Sequence, residues 1–338
     1  MITMKEVSDL AGVSQATVSR VINGSDRVTE KTRIRVNQAM QSLGYRPNSA
    51  AQSLASNRSN AIGMVVSKLE GPFYGPMMAG VENALRQAHK HLIIAAGHGD
   101  ADLEREAIEF LVNRQVDGLL LMVERLEDAE LVELNQRVPV FLINHPVTAL
   151  SHRCVSLDNE LGGYRATRYL LDQGHRHIAC IMGQIWKPDA QDRLRGYRRA
   201  MAEAGVVVPD DWVVNTYFEL AGGYQAMETL FERQFEGTAV FAGNDEMAFG
   251  VLEAAEHHGI RVPDQLSVIG FDNSLTAQYV NPKLTTLHFP MFEMAQTSAR
   301  MALDGIYNKA ESKARQFEPT LVERNTVSRP FSVEPGVR

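Results

Sequence analysis

The chain has 338 residues, 44% apolar and 22% charged, which excludes a disordered polymer and exceeds one typical domain. No apolar run reaches the length of a membrane span and no secretory leader opens the sequence, so a cytoplasmic location is expected. The formal net charge is −7, but it is unevenly placed: residues 1–60 hold 8 Lys/Arg and 4 Asp/Glu, leaving 26 against 37 for the rest. A basic head on an acidic body suits phosphate contact at one end of the molecule.

The head begins with Thr3 and Glu6 at the spacing of a capping box. The helix they open places Val7 and Leu10 on one expected core face and stops at Ala11-Gly12-Val13, where glycine suits a left-handed turn. Ser14 can cap a second helix, Gln15 to Asn23, with Val18, Val21 and Ile22 inward and Gln15, Ala16, Thr17, Ser19 and Arg20 outward. Two short helices around such a turn form a helix-turn-helix, whose second helix reads the DNA major groove. An ordinary surface pair of helices fits the spacing equally; the charge asymmetry favours DNA. A third helix, about Thr29 to Leu43, ends at Gly44. The extended segment Tyr45-Arg46-Pro47-Asn48 follows, and Asn48 can cap a short helix through Ala55 that is too short to be stable alone.

From Ala61 apolar strand runs alternate with helical stretches. A first series is AIGMVVS, HLIIAA, GLLLM and VPVFLIN; a second is CVSLD, HIACIM, TAVFAG and LSVIGFD. Near-continuous apolar strands between helices imply parallel sheets covered on both faces, here two α/β lobes. LTTLHF, a helix over Met291 to Tyr307 and a strand near PTLVERNTV then cross back between lobes. Cys154 and Cys180 sit in separate apolar runs with no zinc spacing, so reduced core thiols are expected. His175 and His177 in GHRHI, and His89 and His91, have no further ligand in sequence and are expected at the surface or in caps. No cofactor or metal is expected.

TVSRVINGS and SLGYRPNSAAQSLA in the head, with EREAIEFLVNR, DRLRGY, AVFAGNDEMAFGVL, LSVIGFDN and LTTLHFP in the body, resemble the LacI/GalR family of bacterial transcription regulators. HRCVSLDN and PTLVERNTVS look closest to its galactose-repressor branch. The resemblance covers nearly the whole chain. It implies a helix-turn-helix domain over 1–46, a hinge over 47–59, and a body over 60–338 of two lobes, about 60–158 plus 290–318 and 159–289 plus 319–330. It also implies a homodimer on a pseudo-palindromic operator, with a small effector between the lobes.

By the same resemblance Gln15, Ala16 and Arg20 read base edges; glutamine suits adenine and arginine guanine, while alanine offers a methyl to thymine. Thr3, Ser14, Thr17, Ser19 and Asn23 position the helix through phosphate contacts or caps. Asn48 and Leu54 complete the DNA-contacting set, Leu54 as a wedge into a minor-groove base step or a contact with the partner's hinge helix. Phe73, Asp158, Arg193, Phe218, Asn244 and Asp272 are implied to form the effector pocket. Most of the polar ones follow strands, where α/β folds bind ligands, although aspartate also follows strands as a helix cap. Carboxylates, an amide and an arginine suit a neutral polyhydroxyl such as a sugar. Three positions depart from the family pattern: Gly71, Asn273 and Met291. Four alternatives are open: regulation by a non-sugar corepressor, direct hydrolysis, dinucleotide chemistry, and sugar transport. No nucleophile constellation, carboxylate pair or G-x-G-x-x-G supports the two enzymes, and the missing leader and DNA-reading head oppose the transporter.

Overall fold

The computed structural model describes residues 2–22, 27–45, 58–309, 311 and 313–330. It divides into two units, Met1–Asn60 and Ala61–Arg338. In the first, α1 (Met4–Ala11) starts at Thr3, whose hydroxyl accepts from Glu6 N while the Glu6 carboxylate accepts from Thr3 N at 2.7 Å. The Thr3 donors hold the Glu6 carboxyl below its usual range. Gly12 (φ 60°) ends α1 in the left-handed region. α2 (Gln15–Ile22) and α3 (Glu30–Leu43) follow, α3 running from a Thr29 cap to Gly44. Val7, Ala11, Val18, Val21, Val28, Val36 and Ala39 make one small core. Each buried valine contributes about 1.5–3 kcal/mol, which is how helices too short to persist alone are held. Leu10 does not join them: it is 57% exposed. The inward stripe of α1 runs through Val7, Ser8 and Ala11, and the position three after Val7 falls beyond its edge.

The second unit contains two six-stranded sheets. In the first, β1 (Ala61–Val66), β2 (His91–Ala96), β3 (Leu119–Leu121), β4 (Val140–Ile143) and β5 (Cys154–Leu157) alternate with α4 (Tyr74–Gln87), α5 (Ala101–Asn113) and α6 (Asp128–Arg137). The second sheet uses β6 (Ile178–Met182), β7 (Val213–Asn215), β8 (Ala239–Ala242), β9 (Ser267–Asp272) and β10 (Thr285–His288). Its helices are α7 (Asn159–Asp172), α8 (Pro188–Glu203), α9 (Leu220–Glu232) and α10 (Asp245–His257). After β10, α11 (Met291–Leu303) packs on α4, β4 and β5; β11 (Arg315–Phe317) then joins the first sheet and β12 (Thr320–Val322) the second. The chain therefore passes between the lobes three times.

The strand orders are β11-β5-β4-β3-β1-β2 and β12-β10-β9-β8-β6-β7, parallel throughout except β10 with β12. CVSLD, grouped with the second series by its alternation although the implied first lobe runs to 158, pairs with β4 and β11 in the first sheet. Each lobe also gains a three-residue edge strand, β7 and β11, too short to stand out as an apolar run. The helix expected to Tyr307 ends at Leu303, and a π turn covers Asp304–Asn308. Both cysteines are buried and free; burial pushes Cys154 up to about 11 and Cys180 further, so both stay protonated thiols. His175 is a core residue rather than a surface one: its ring nitrogens meet Thr238 Oγ1 and Ser328 O, each at 2.8 Å, and burial lowers its pKa. His177 is exposed.

Candidate functional site

The outward face of α2 carries Gln15, Ala16 and Arg20, all exposed. Ser14 Oγ accepts from Thr17 N and lies 2.9 Å from Thr17 Oγ1, so these hydroxyls brace the first turn of α2 while staying accessible. Thr3 is engaged in its capping box and Ser19 is half-buried. Asn23, Asn48 and Leu54 lie outside the described residues, as does the hinge segment 46–57.

In the body, loops at the carboxyl ends of strands from both lobes line an open cleft of about 750 Å³, inside the roughly 300–1,000 Å³ range of small-molecule sites. Arg193 is its most firmly held side chain. It is 3% exposed, donates from Nε to Asn159 Oδ1 (2.9 Å) and from Nη1 to Gly243 O (2.6 Å), and its guanidinium lies 3.7 Å from the centre of the Phe271 ring. Its backbone is equally constrained: a Cβ on Gly163 of α7 would stand 2.0 Å from Arg193 O, so α7 and α8 touch there main chain to main chain. The second nitrogen, Nη2, is 4.0 Å from Asp189.

Asp272 closes β9 at φ 121°, a conformation aspartate rarely adopts. Among the described residues no donor is hydrogen-bonded to its carboxylate. Burial holds its pKa well above the usual carboxylate range, with the Arg193 charge opposing. Asn244 lines the cavity, and its Oδ1 caps α10 by accepting from Met247 N at 2.9 Å, a bond that does not use Nδ2. Gln184 Oε1 is buried and without a hydrogen-bond partner. Phe73 and Phe218 supply apolar walls, Phe73 set edge-on against Tyr74 and Phe289.

Three contacts cross from lobe to lobe beside this cavity. Lys68 pairs with Glu219 and Lys187 with Glu124, each at 2.8 Å, and Arg125 lies 3.4 Å above the Trp186 ring. The first pair is half-exposed and worth little; the second is largely shielded and stronger. The loop bearing Glu124 and Arg125 is pinned from below by Glu104 of α5, whose carboxylate accepts from Glu124 N (2.8 Å) and Arg125 N (3.0 Å). Glu104 is 1% exposed, and burial raises its pKa despite those donors.

Residues 3–48 match the model of bacterial regulatory proteins, lacI family, and residues 167–327 that of a periplasmic binding protein-like domain. The HTH-type transcriptional regulator GalR of Salmonella typhimurium (strain SL1344) is 40% identical over 333 residues, 98% of this chain and 97% of that protein. The chain belongs to the LacI family of bacterial regulatory proteins. Among solved structures, a CelR–cellobiose complex is 33% identical with TM-score 0.73 over 96% of this chain and 100% of that one. The lac repressor dimer bound to operator and the anti-inducer ONPF is 26% identical with TM-score 0.87 over 97% and 99%. Among the described residues no helix is long and apolar enough to cross a membrane.

Of the six pocket residues implied by sequence, this LacI-family chain brings five to the cavity: Phe73, Arg193, Phe218, Asn244 and Asp272. Asp158 is a correction. Its carboxylate accepts from Leu161 N at 2.8 Å and caps α7, and it does not line the cavity. β5 lies toward the rim of the first sheet, beyond β4, and the cavity opens after β1, β2 and β3. Asn273 is turned to Arg324 (2.6 Å) and His288 (3.2 Å), so the departure there alters a support rather than the lining. Met291 is buried away from the cavity. Gly71 lines it at φ 90°, a conformation that favours glycine and strains any other residue. Lys68, Glu124, Arg125, Gln184, Trp186, Lys187 and Glu219 went unread in sequence. Their only sequence signal is that they closely follow a strand.

Proposed function

We propose that this LacI-family protein is a transcriptional repressor whose grip on a pseudo-palindromic operator is released when a neutral sugar binds between its lobes. The cavity carries the reading: a firmly positioned guanidinium, an amide and the Asp272 carboxyl, which accepts no hydrogen bond among the described residues, line one cleft between the lobes. Six acidic side chains line it against four basic ones, and the cross-lobe pairs already occupy two of each. That balance disfavours an anionic ligand, and a ligand rich in hydroxyls can pair with the acidic groups whether or not Asp272 carries a proton. The cellobiose complex of the relative above supports a carbohydrate, and the dimeric lac repressor on its operator supports a homodimer on DNA.

On this reading Gln15, Ala16 and Arg20 choose the bases, Thr3, Ser14, Thr17, Ser19, Asn23 and Asn48 set the register, and Leu54 wedges into the minor groove. The protein works beside the chromosome in the cytoplasm and acts by binding, not catalysis. A coupling of roughly 1–3 kcal/mol gives about a 5- to 150-fold change in operator affinity. The test is a thermal-shift panel of hexoses, disaccharides, sugar phosphates and purines, followed by operator binding with each hit. A neutral sugar is expected to raise Tm and weaken operator binding; a response confined to anions or purines overturns the reading.

A further inference from the structure

We propose that α9 and α10 of the second lobe carry a divalent transition-metal site formed by Glu228, His257 and His258. Their ligand atoms all lie within 4.8 Å of one another. Glu228 comes from α9; His257 is the last residue of α10 and His258 its C-cap. Tyr224 stands one turn before Glu228 on the same face of α9. Its hydroxyl is 2.6 Å from His257 Nδ1, and Glu228 Oε1 is 2.9 Å from His258 Nε2. Both imidazoles are thus drawn toward α9 by oxygen atoms. Tyr224–His257 and Glu228–His258 are two separate hydrogen-bonded pairs, and it is the approach of the Glu228, His257 and His258 ligand atoms to within 4.8 Å that joins them in one place.

The scaffold beneath the cluster is stiff. A Cβ on Gly223 would lie 2.0 Å from Met247 O, and one on Gly250 would lie 2.1 Å from Leu220 O. The two helices therefore touch along their backbones, and the donors hang from a fixed pair of helices rather than from loops. Glu228 is half-buried and both histidines are exposed, which leaves coordination positions for water. The field also suits a cation. The carboxyl end of α10 carries the negative end of its helix dipole, and Glu253 lies on the same helix close enough for its charge to act on Tyr224.

Two imidazoles and one carboxylate select zinc, nickel or copper over magnesium and calcium, which prefer all-oxygen sets. A tetrahedral zinc with bonds of about 2.0–2.2 Å holds its donors roughly 3.4 Å apart, so rotamer adjustment must bring the more distant donors in by up to about 1.4 Å and open the 2.9 Å Glu228–His258 pair by about 0.5 Å. Tyr224, hydrogen-bonded to His257 Nδ1, would steady that ring. Glu246, the cavity residue of α10, sits near its opposite end, roughly 16 Å away along the axis. The ion would join α9 to α10 without entering the effector cleft.

The experiment uses the full chain, stripped with a chelator and titrated with ZnCl2 and with NiCl2 by calorimetry and thermal unfolding. One ion per chain, a micromolar Kd and a raised Tm are expected. His257→Ala, His258→Ala and Glu228→Gln should each weaken binding at least tenfold, with circular dichroism verifying the fold, whereas His89→Ala should not. No binding at 100 µM metal, or binding that survives both histidine substitutions, overturns the proposal.

Discussion

Replacing Glu104 by alanine tests whether the cleft rim is built from beneath. The substitution leaves two backbone donors, Glu124 N and Arg125 N, without the acceptors they now meet at 2.8 and 3.0 Å. Each unsatisfied buried amide costs about 1–3 kcal/mol, and removing a buried carboxylate recovers part of that. A net loss of about 2–4 kcal/mol follows. The functional effect follows from the same bonds. Glu124 receives Ser67 Oγ and Lys187 Nζ, and Arg125 covers Trp186, so a loosened loop misplaces one wall of the cavity. Urea unfolding of Glu104→Ala should show a lower midpoint, and the Kd of whichever sugar emerges from the thermal-shift panel should rise at least tenfold. Glu104→Gln keeps one acceptor but points an N–H at the other amide, so it recovers only part of the loss. A stability change below about 0.5 kcal/mol with unaltered sugar affinity refutes the argument.

Arg193→Lys keeps the charge but cannot serve Asn159 and Gly243 together while stacking on Phe271, so sugar affinity should fall at least tenfold by calorimetry. An undiminished affinity removes Arg193 from the effector site. Gly223→Ala drives a methyl to within 2.0 Å of Met247 O and must push α9 from α10; a loss of about 2–4 kcal/mol is expected in urea unfolding, and a neutral outcome contradicts the close helix contact. Burial raises the Asp245 carboxyl from 3.8 to about 6, against donation from Ser274 N and Thr286 Oγ1. Between about pH 4 and 6 the folded chain therefore holds a proton that the unfolded chain releases, and this group's contribution to stability falls as pH rises through that window. The stability of wild type relative to Asp245→Asn should decline from pH 4.5 to pH 6.5 by urea midpoint; a constant or growing difference refutes it.

Much of the fold is local in origin and readable as such. Thr3 and Glu6 satisfy each other's amides within one turn, and Gly12 and Gly44 stop helices at left-handed positions. The strands of both lobes show as apolar runs because parallel strands are covered on both faces. Leu10 misled because a helix in a three-helix head buries only a narrow stripe. Glu104 was invisible for the opposite reason. It lies in an amphipathic stretch where a glutamate ordinarily faces solvent, and only the return of the β3 loop over α5 buries it.

Asp158 and Asp272 show where sequence stops. Both are aspartates at or just after the end of an apolar strand, yet one caps α7 and the other faces the cavity without a donor. The difference is not in either residue's neighbours along the chain. It lies in strand order: β9 ends inside the cleft, whereas β5 lies toward the rim of its sheet beside β11, a strand contributed from 158 residues further on. By itself the sequence determined the helix-turn-helix, the α/β alternation and the family, because caps, turns and apolar periodicity act over a few residues. The tertiary structure alone decided which strand ends meet across the lobes, and hence which carboxylates face a ligand, because that depends on chain crossings no local pattern encodes.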